Sequence, residues 1–441
     1  MKNSGVEWIG EIPEDWEVKK LKYICEPLAS GGTPDSNNDQ YYCENGTNWV
    51  AINDMSLVDY VENTAKHITN LAINEKKLKI YPKGTIIYSI YATLGHVAEL
   101  SKPACINQAL LALSIKDKSF NKSYFKYSLN AMKEYVLAFS SGNTQFNLNA
   151  QKVRNFTLLT PSFETQQRIA TYLDKKCSKI EETIQNQQQV IEKLKAYKQS
   201  LITEAVTGKI KIQNGKVCGK YESYKDSKLK WLGDFKIPEK WSNIQVKSFV
   251  SIPVVDGPHE SPELFDNGIP YISATAIENS KIDFSLKRGF ISEKYCDECD
   301  KRYKPMRDDI LMIKLGATTG QVAIVETDER FNIWVPLAAI RCNKNIALPK
   351  FIFYSFQSDY CLKQMEMSWT FGTQQTLGVS SIERLKIFLP NIETQKNITH
   401  FLDKKCTAID TAIEQKQMLI EKLTEYKKSL IYECVTGKKE I

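Results

Sequence analysis

Apolar residues recur about every 3.5 positions in two long stretches of the chain, residues 164–209 and 393–438. Both stretches are rich in Glu, Gln, Lys and Leu, and neither contains Pro or an interior Gly before a closing Thr-Gly, so each is predicted to be a helix. A narrow apolar seam at this spacing is the pattern of a coiled coil. The predicted seam residues are Leu173, Ile180, Ile184, Ile191, Leu194 and Leu201, followed by Leu402, Ile409, Ile413, Ile420, Leu423 and Leu430.

The two stretches match each other in register without a gap, so the chain carries an internal repeat. A helix of about forty residues is about 60 Å long and needs a partner along its whole length. The other copy is the natural partner, which predicts a coiled coil within one chain. The alternative is that each helix only completes the core of its own half. The narrow seam favours pairing.

The repeat extends beyond the helices. The opening Trp-Ile-Gly-Glu-Ile-Pro-Glu-Asp-Trp at residues 8–16 returns, with a short insertion, at residues 231–241. Between each opening and each helix, short apolar runs rich in β-branched residues end at Gly and predict strands. Each half is therefore predicted to hold a compact α/β domain. The two domains share a frame and differ in their loops.

The shared frame allows an alignment of the two halves. Residues 84–88 align with residues 309–313, and Asn107 aligns with Asn332. We place the first domain at residues 1–162, the first long helix at 163–207, a linker at 208–230, the second domain at 231–391 and the second long helix at 392–441.

Composition is consistent with a globular protein of more than one domain. The chain has 441 residues, of which 42% are hydrophobic and 25% charged, and its formal net charge is +7. No apolar run is long enough to span a membrane and the start has no signal-peptide pattern, so we expect a cytoplasmic protein with reduced thiols. The mild basic excess permits a nucleic-acid partner without proving one.

Catalytic motifs are absent from the sequence. There is no GxxxxGK[ST] loop, no GxSxG, no HExxH and no GxGxxG. Cys296 and Cys299 form a CxxC without a second pair, so no metal site is predicted. Two copies of one framework whose loops differ in sequence indicate a protein that recognises two different targets, rather than an enzyme.

The duplicated motifs resemble the specificity subunit of type I restriction-modification systems. The resemblance rests on the Trp-x-Gly-x-Ile-Pro opening, the Ser-Gly-Gly-Thr-Pro at residues 30–34, the Ala-Thr-x-Gly turn and the Glu-Thr-Gln helix. It implies an α+β fold, in which two α/β target recognition domains are separated by two long helices. The helices would form an antiparallel intramolecular coiled coil and give the chain an internal pseudo-twofold repeat.

The same resemblance implies the function and the partners. Each domain would read one half of a bipartite site in double-stranded DNA, and the coiled coil would set the gap and dock two methyltransferase subunits. Those subunits would bind S-adenosylmethionine, motor-nuclease subunits would cleave the DNA, and this chain would have no cofactor and no activity of its own. Ser30-Gly31-Gly32-Thr33 has Asp256-Gly257-Pro258-His259 as its counterpart, so the two half-sites are expected to differ.

Polar loop residues beside the shared frame are the candidate DNA contacts, because base edges are read by polar side chains. For each of them the alternative is local turn chemistry. Arg288 and Lys314 are candidate phosphate contacts. The full set is Thr33, Asn53, Thr93, His96, Thr144, Gln145, His259, Thr275, Arg288, Lys314, Thr318, Thr319, Thr373 and Gln374.

Two other functions are compatible with the sequence. A self-contained DNA-modifying enzyme with an unrecognised site would act without a partner. A coiled-coil scaffold without sequence specificity would bind DNA with no base preference.

Overall fold

The chain divides into two compact units. Unit 1 comprises residues 1–187 and 418–441, and unit 2 comprises residues 188–417. Each boundary falls within a long helix, so each unit combines a sheet-containing domain with parts of both long helices. The computed structural model describes residues 1–56, 58–141, 148–371 and 374–441.

The strands of unit 1 are short and precede the first long helix. They are β1 (Lys2–Asn3), β2 (Glu11–Ile12), β3 (Glu17–Lys20), β4 (Ala29–Ser30), β5 (Tyr42–Cys43), β6 (Thr47–Val50), β7 (Tyr60–Val61), β8 (Lys66–Ile68), β9 (Ile86–Ser89), β10 (Val97–Leu100), β11 (Ala104–Ile106), β12 (Leu110–Leu113) and β13 (Thr157–Thr160). The helices are α1 (Leu21–Ile24), α2 (Ile52–Met55), α3 (Asn70–Glu75), α4 (Lys122–Ala131), α5 (Lys133–Ser141), α6 (Ala150–Val153) and the long α7 (Phe163–Val206).

Two sheets form the frame of unit 1. Their strand orders are β4-β12-β9-β10-β7 and β11-β6-β8-β5, and β11 runs parallel to β6. The side chains of β9 alternate between two cores. Ile86 and Tyr88 pack with residues of helix α4, and Ile87 packs with residues of β6 and β11. Because both faces of β9 are covered, Ile86, Ile87 and Tyr88 are all buried.

The elements of unit 2 follow the same order. The strands are β14 (Ile212–Gln213), β15 (Lys216–Val217), β16 (Tyr224–Asp226), β17 (Lys236–Pro238), β18 (Ser242–Gln245), β19 (Val255–Asp256), β20 (Ile269–Ile272), β21 (Ile277–Glu278), β22 (Lys281–Ile282), β23 (Gly289–Ile291), β24 (Ile310–Ile313), β25 (Val322–Ile324), β26 (Asn332–Ile333), β27 (Leu337–Ile340), β28 (Thr370–Phe371), β29 (Gln375–Thr376) and β30 (Lys386–Leu389). The helices are α8 (Glu293–Arg302), α9 (Pro349–Gln357), α10 (Asp359–Met367), α11 (Val379–Arg384) and the long α12 (Ile392–Val435).

Unit 2 repeats the frame of unit 1. Its sheets have strand orders β19-β27-β24-β25 and β23-β20-β26, and β26 runs parallel to β20. Strand β24 alternates as β9 does, with Ile310 and Met312 in one core and Leu311 and Ile313 in another. The predicted α+β fold with an internal repeat is confirmed.

The alignment of the central strands requires a correction of one residue. Tyr88 is paired with Val97 on the neighbouring strand, and Met312 is paired with Val322 in the same way. Tyr88 therefore corresponds to Met312 and not to Ile313, as the sequence alignment had it. The turn that follows is one residue longer in unit 2. An ungapped alignment hides this insertion.

The match of Asn107 with Asn332 is also wrong. In the parallel strand pairs, Cys105 lies opposite Trp49 and Asn332 lies opposite Tyr271. Asn332 therefore corresponds to Cys105 in the frame. The two Asn residues lie at different places relative to the sheet.

Part of the predicted linker is a β-hairpin. Strands β14 and β15 are joined by Asn214 and Gly215, both with positive φ, which is the two-residue turn that suits an antiparallel hairpin. Ile212 on this hairpin is buried in the core of unit 2. The Asn-Gly signal was present in the sequence, but the many Lys residues around it obscured it.

The long helices pack antiparallel. In unit 1, Leu173 near the start of α7 shares a core with Leu430 near the end of α12, and Glu181 forms an ion pair with Lys427. In unit 2, the end of α7 lies beside the start of α12, where Lys198 bonds Asp410 at 2.7 Å. This confirms the predicted antiparallel pairing.

The predicted seam residues lie on the inner side of these helices. Leu173, Ile180, Ile191, Leu201, Leu402, Ile409, Ile420 and Leu430 are buried. Ile184, Leu194, Ile413 and Leu423 are partly buried against the same cores. These cores also contain residues of the sheet domains, so the helices pair with each other and complete the domain cores at the same time.

The Gln of each Glu-Thr-Gln motif ties a helix to its domain. The Gln395 amide is fully buried, donates to the backbone oxygens of Pro390 and Ile346, and accepts from the Leu348 N–H at 2.8 Å. Gln166 makes the equivalent bonds in unit 1. Each buried amide is thus satisfied at both ends, which explains why this motif is duplicated.

The closing Thr-Gly of each helix packs on an opening Pro-x-x-Trp. A side chain at Gly437 would approach the Pro13 ring to 2.5 Å, and one at Gly208 would approach Pro238 to 2.4 Å. Both glycines also have positive φ, as residues that end helices commonly do. The opening and closing motifs are therefore two sides of one contact.

Candidate DNA-reading surface

A glycine marks the same place in each frame. A side chain at Gly31 would lie 1.7 Å from the backbone oxygen of Ile106, and one at Gly257 would lie 2.4 Å from that of Ile333. Both oxygens belong to the strand of the parallel pair, so the loops that follow these glycines leave the frame at equivalent points. Their side chains differ completely, which makes these loops the first candidates for reading different sequences.

In unit 1, Thr33 follows this glycine and is exposed, with its hydroxyl bonded to the side chain of Gln108. Asn53 is exposed on the short helix α2. Both side chains are accessible to a ligand. Thr144 and Gln145 lie outside the described residues.

The turn between β9 and β10 carries two further candidates. The Thr93 hydroxyl donates to the Ser89 hydroxyl at 3.2 Å, and His96 Nε2 lies 3.1 Å from the backbone oxygen of Val58. Both side chains are partly buried. The Thr93 bond fits the turn-chemistry alternative, whereas His96 contacts a residue far away in the chain. The predicted DNA contacts of both residues stay predictions.

In unit 2, three cationic or polar donors converge on Asp256, whose side chain is 9% exposed. Its Oδ2 accepts from Lys314 Nζ at 2.8 Å and lies 3.2 Å from His259 Nε2. Its Oδ1 accepts from Arg302 Nη2 at 2.5 Å. Burial opposes the charge, but the hydrogen bonds and charges of Lys314 and Arg302 outweigh it and lower the pKa of Asp256.

The structure therefore places the candidates Lys314 and His259 at one carboxylate. Lys314 is only 8% exposed, so its ammonium is committed to Asp256. His259 is exposed. Sequence reasoning missed Arg302, because it lies on helix α8, far along the chain, and belongs to no motif.

Arg288 and Thr275 lie near the second sheet of unit 2. The Arg288 guanidinium stacks on the Trp334 ring at 3.3 Å from its centroid, and its buried Nη1 has no hydrogen-bond partner among the described residues. The exposed Thr275 donates a long hydrogen bond to the backbone oxygen of Leu286. Arg288 as a phosphate contact stays a prediction.

The turn after β24 carries Thr318 and Thr319 and lies beside the start of β29. Thr319 is buried and its hydroxyl donates to the Gly316 oxygen at 2.7 Å, which is turn chemistry, whereas Thr318 is exposed. The same turn bonds the start of β29, which follows the exposed Gln374. Thr373 lies outside the described residues.

Within the described residues, no group of three or more His, Cys, Asp or Glu side chains is arranged to hold a metal ion. Cys296 and Cys299 both lie on the buried face of α8, and burial raises the pKa of the Cys296 thiol to about 11. In the same described ranges no helix is long and apolar enough to cross a membrane.

Comparison with known proteins gives consistent matches over most of the chain. A family model described as the type I restriction modification DNA specificity domain matches residues 13–196 and again residues 238–422. The type I restriction enzyme MjaIX specificity subunit of Methanocaldococcus jannaschii is 29% identical over 332 residues, covering 72% of this chain and 74% of that protein. The EcoBI specificity subunit of Escherichia coli is 23% identical over 360 residues, covering 81% and 74%.

A solved structure, from work on complex assembly and conformational transition of the type I R-M system, shares the fold. It aligns with a TM-score of 0.69 at 14% identity, over 97% of this chain and 100% of that chain. At this identity the likeness is one of fold alone.

Proposed function

Since the chain belongs to the type I restriction modification DNA specificity domain family, we propose that it is the sequence-specific DNA-binding specificity subunit of a type I restriction-modification complex. Unit 1 and unit 2 each read one half of a bipartite site in double-stranded DNA. The observation that carries this proposal is the duplicated frame, in which Gly31 and Gly257 hold equivalent loops with unrelated side chains. A reader of two half-sites needs one frame and two sets of loops.

The paired helices are proposed to set the gap between the half-sites and to dock two methyltransferase subunits. Equivalent positions of the two helices carry exposed tyrosines, Tyr197 on α7 and Tyr426 on α12, with 55% and 52% of each side chain exposed. A repeated outer face suits two identical partners, whereas a face that differed between the helices would not. Substituting both tyrosines by Ser is expected to weaken methyltransferase binding without changing the DNA sequence that is read.

Chemistry is proposed to reside in the partners. The methyltransferase subunits would bind S-adenosylmethionine and transfer the methyl group, and motor-nuclease subunits would cleave unmodified DNA. This chain would recognise the DNA sequence and position the partner subunits on it.

The test is a selection from randomised DNA duplexes with the full chain, followed by a methylation assay with and without its methyltransferase subunit. The expected result is a bipartite consensus and methylation only when the partner is present. Methylation by the purified chain with S-adenosylmethionine alone would identify a self-contained enzyme. Binding with no base preference would identify a scaffold.

A further inference from the structure

The loop after Gly257 borders a cavity of about 470 Å³. The Asp256 cluster lies at its wall, with Arg302 52% exposed toward solvent. Two exposed carboxylates, Glu260 and Glu298, line the same cavity. The site therefore presents hydrogen-bond donors and acceptors side by side.

Within the cluster, the charges divide into a buried pair and an outer group. Lys314, at 8% exposure, neutralises the Asp256 carboxylate through Oδ2. Arg302 bonds Oδ1 through one N–H of Nη2, and its Nε and Nη1 have no partner among the described residues. Asp256 thus holds one corner of the guanidinium, and the second N–H of Nη2, together with that of Nε or Nη1, is a pair of parallel donors available to a ligand.

The cluster is special to unit 2, although the frame around it is shared. The strand registers place Ser30 where unit 2 has Asp256, and place Ile90 where unit 2 has Lys314. Ile90 is buried and apolar. If the two half-sites differ, the residues that read them must differ between the two units, as this cluster does.

On the basis of the proposed function, we propose that Asp256 is a positioning residue that holds Arg302 to read the guanine of a G·C pair in the half-site of unit 2. Guanine presents two acceptors, O6 and N7, in the major groove, and an arginine matches both. Adenine and cytosine place an amino donor there, which a guanidinium rejects. The carboxylates of Glu260 and Glu298 suit the amino group of the paired cytosine.

A phosphate group offers similar acceptors, but the site disfavours it. Glu260 and Glu298 bring two negative charges to the cavity, and like charges repel a phosphate. Holding the arginine in place before binding also reduces the side-chain entropy that recognition would otherwise lose. The entropy saving applies to any ligand, so it is the negative charge of the cavity that favours a base edge over a phosphate.

The test is a selection from randomised duplexes with the full chain and its variants. Arg302→Ala is expected to reduce the preference for one guanine in one half-site by about tenfold or more, and to leave the other half-site unchanged. Arg307→Ala is the matched control, since Arg307 is equally exposed and also bonds an aspartate, Asp328, outside the cavity. It should leave the whole consensus unchanged.

Asp256→Asn alone leaves Lys314 buried without its partner, so the variant is also made as Asp256→Asn with Lys314→Gln, which removes both charges. The double variant is expected to melt close to the wild type and still to lose the same guanine preference. A merely structural role would change stability and leave the consensus intact.

Other results would each contradict one part of the proposal. If Arg302→Ala weakens binding equally for all sequences, Arg302 contacts phosphate and reads no base. If the double variant keeps the wild-type consensus, Asp256 does not position a reader. A bipartite wild-type consensus without guanine in either half-site refutes the guanine assignment alone, whereas the absence of any bipartite consensus refutes the proposed function as well.

Discussion

Lengthening both long helices tests whether they set the gap between the half-sites. We insert one heptad after Gln187 in α7 and one after Gln417 in α12, with apolar residues at the seam positions. The number of residues between Glu181 and Lys198 in α7 equals the number between Asp410 and Lys427 in α12. Equal insertions in both helices therefore keep both ion pairs in one antiparallel register.

The expected change follows from helix geometry. Seven residues add about 10 Å to each helix, which is about three base pairs at 3.4 Å each. The preferred gap should therefore increase by about three base pairs, with both half-sites unchanged. Affinity should fall, because three base pairs turn DNA by about a quarter of a helical turn whereas a heptad turns a helix by only about 20° from the seam.

The assay measures binding to a duplex library in which the wild-type half-sites are separated by gaps of different length. The control carries the heptad in α7 only. Two straight helices cannot then keep both ion pairs, so the control is expected to be less stable and to lose a defined gap preference. An unchanged gap in the double insertion would refute the role of the helices as the spacer, and altered half-sites would refute independent reading by the two units.

Three further predictions concern stability. Leu402→Ala should destabilise unit 2 by about 3 kcal/mol in urea unfolding, because Leu402 is fully buried. Leu419→Ala, at an exposed position of α12 that belongs to unit 1, should destabilise unit 1 by less than about 1 kcal/mol, and equal effects would contradict the assignment of Leu402 to the seam. Gln395→Leu should cost about 3 kcal/mol, because it leaves backbone groups of the helix junction unpaired; a neutral result would contradict the anchoring role of this amide. The hydrogen bond from Lys19 lowers the pKa of Asp117 from its ordinary value of 3.8 to about 2. The pair therefore stabilises unit 1 fully above pH 3.8, and this contribution is lost as the pH falls toward 2. The difference in stability between the wild type and Asp117→Asn should shrink over that pH range, and a constant difference would contradict the pairing.

Much of the fold could be predicted because the long helices carry an apolar period of about 3.5 residues, which favours pairing of the two helices. The predicted seam residues are buried or partly buried in the structure. The strand alignment failed by one residue for a physical reason. Strands β9 and β24 are covered on both faces, so a shift by one position exchanges two apolar faces and leaves no mark in the pattern.

The candidate site was predicted less completely. Sequence indicated the loops, because Gly31 and Gly257 begin segments that differ between the halves. It gave no sign of Arg302, whose position beside Asp256 depends on how α8 packs against the sheet. The burial of Lys314 was equally hidden, since a lysine at the end of an apolar strand is usually exposed. Partners that come together only through the tertiary fold leave no local signal.

The most direct test of the central claim is an exchange of one domain. Residues 17–160 are replaced by the corresponding segment of another member of the family, and the methylated sequence is mapped in cells that express the chain with its methyltransferase partner. Two readers in one chain predict that one half-site changes while the other half-site and the gap remain the same. A change in both half-sites, or in neither, would contradict the claim that each unit reads its own half.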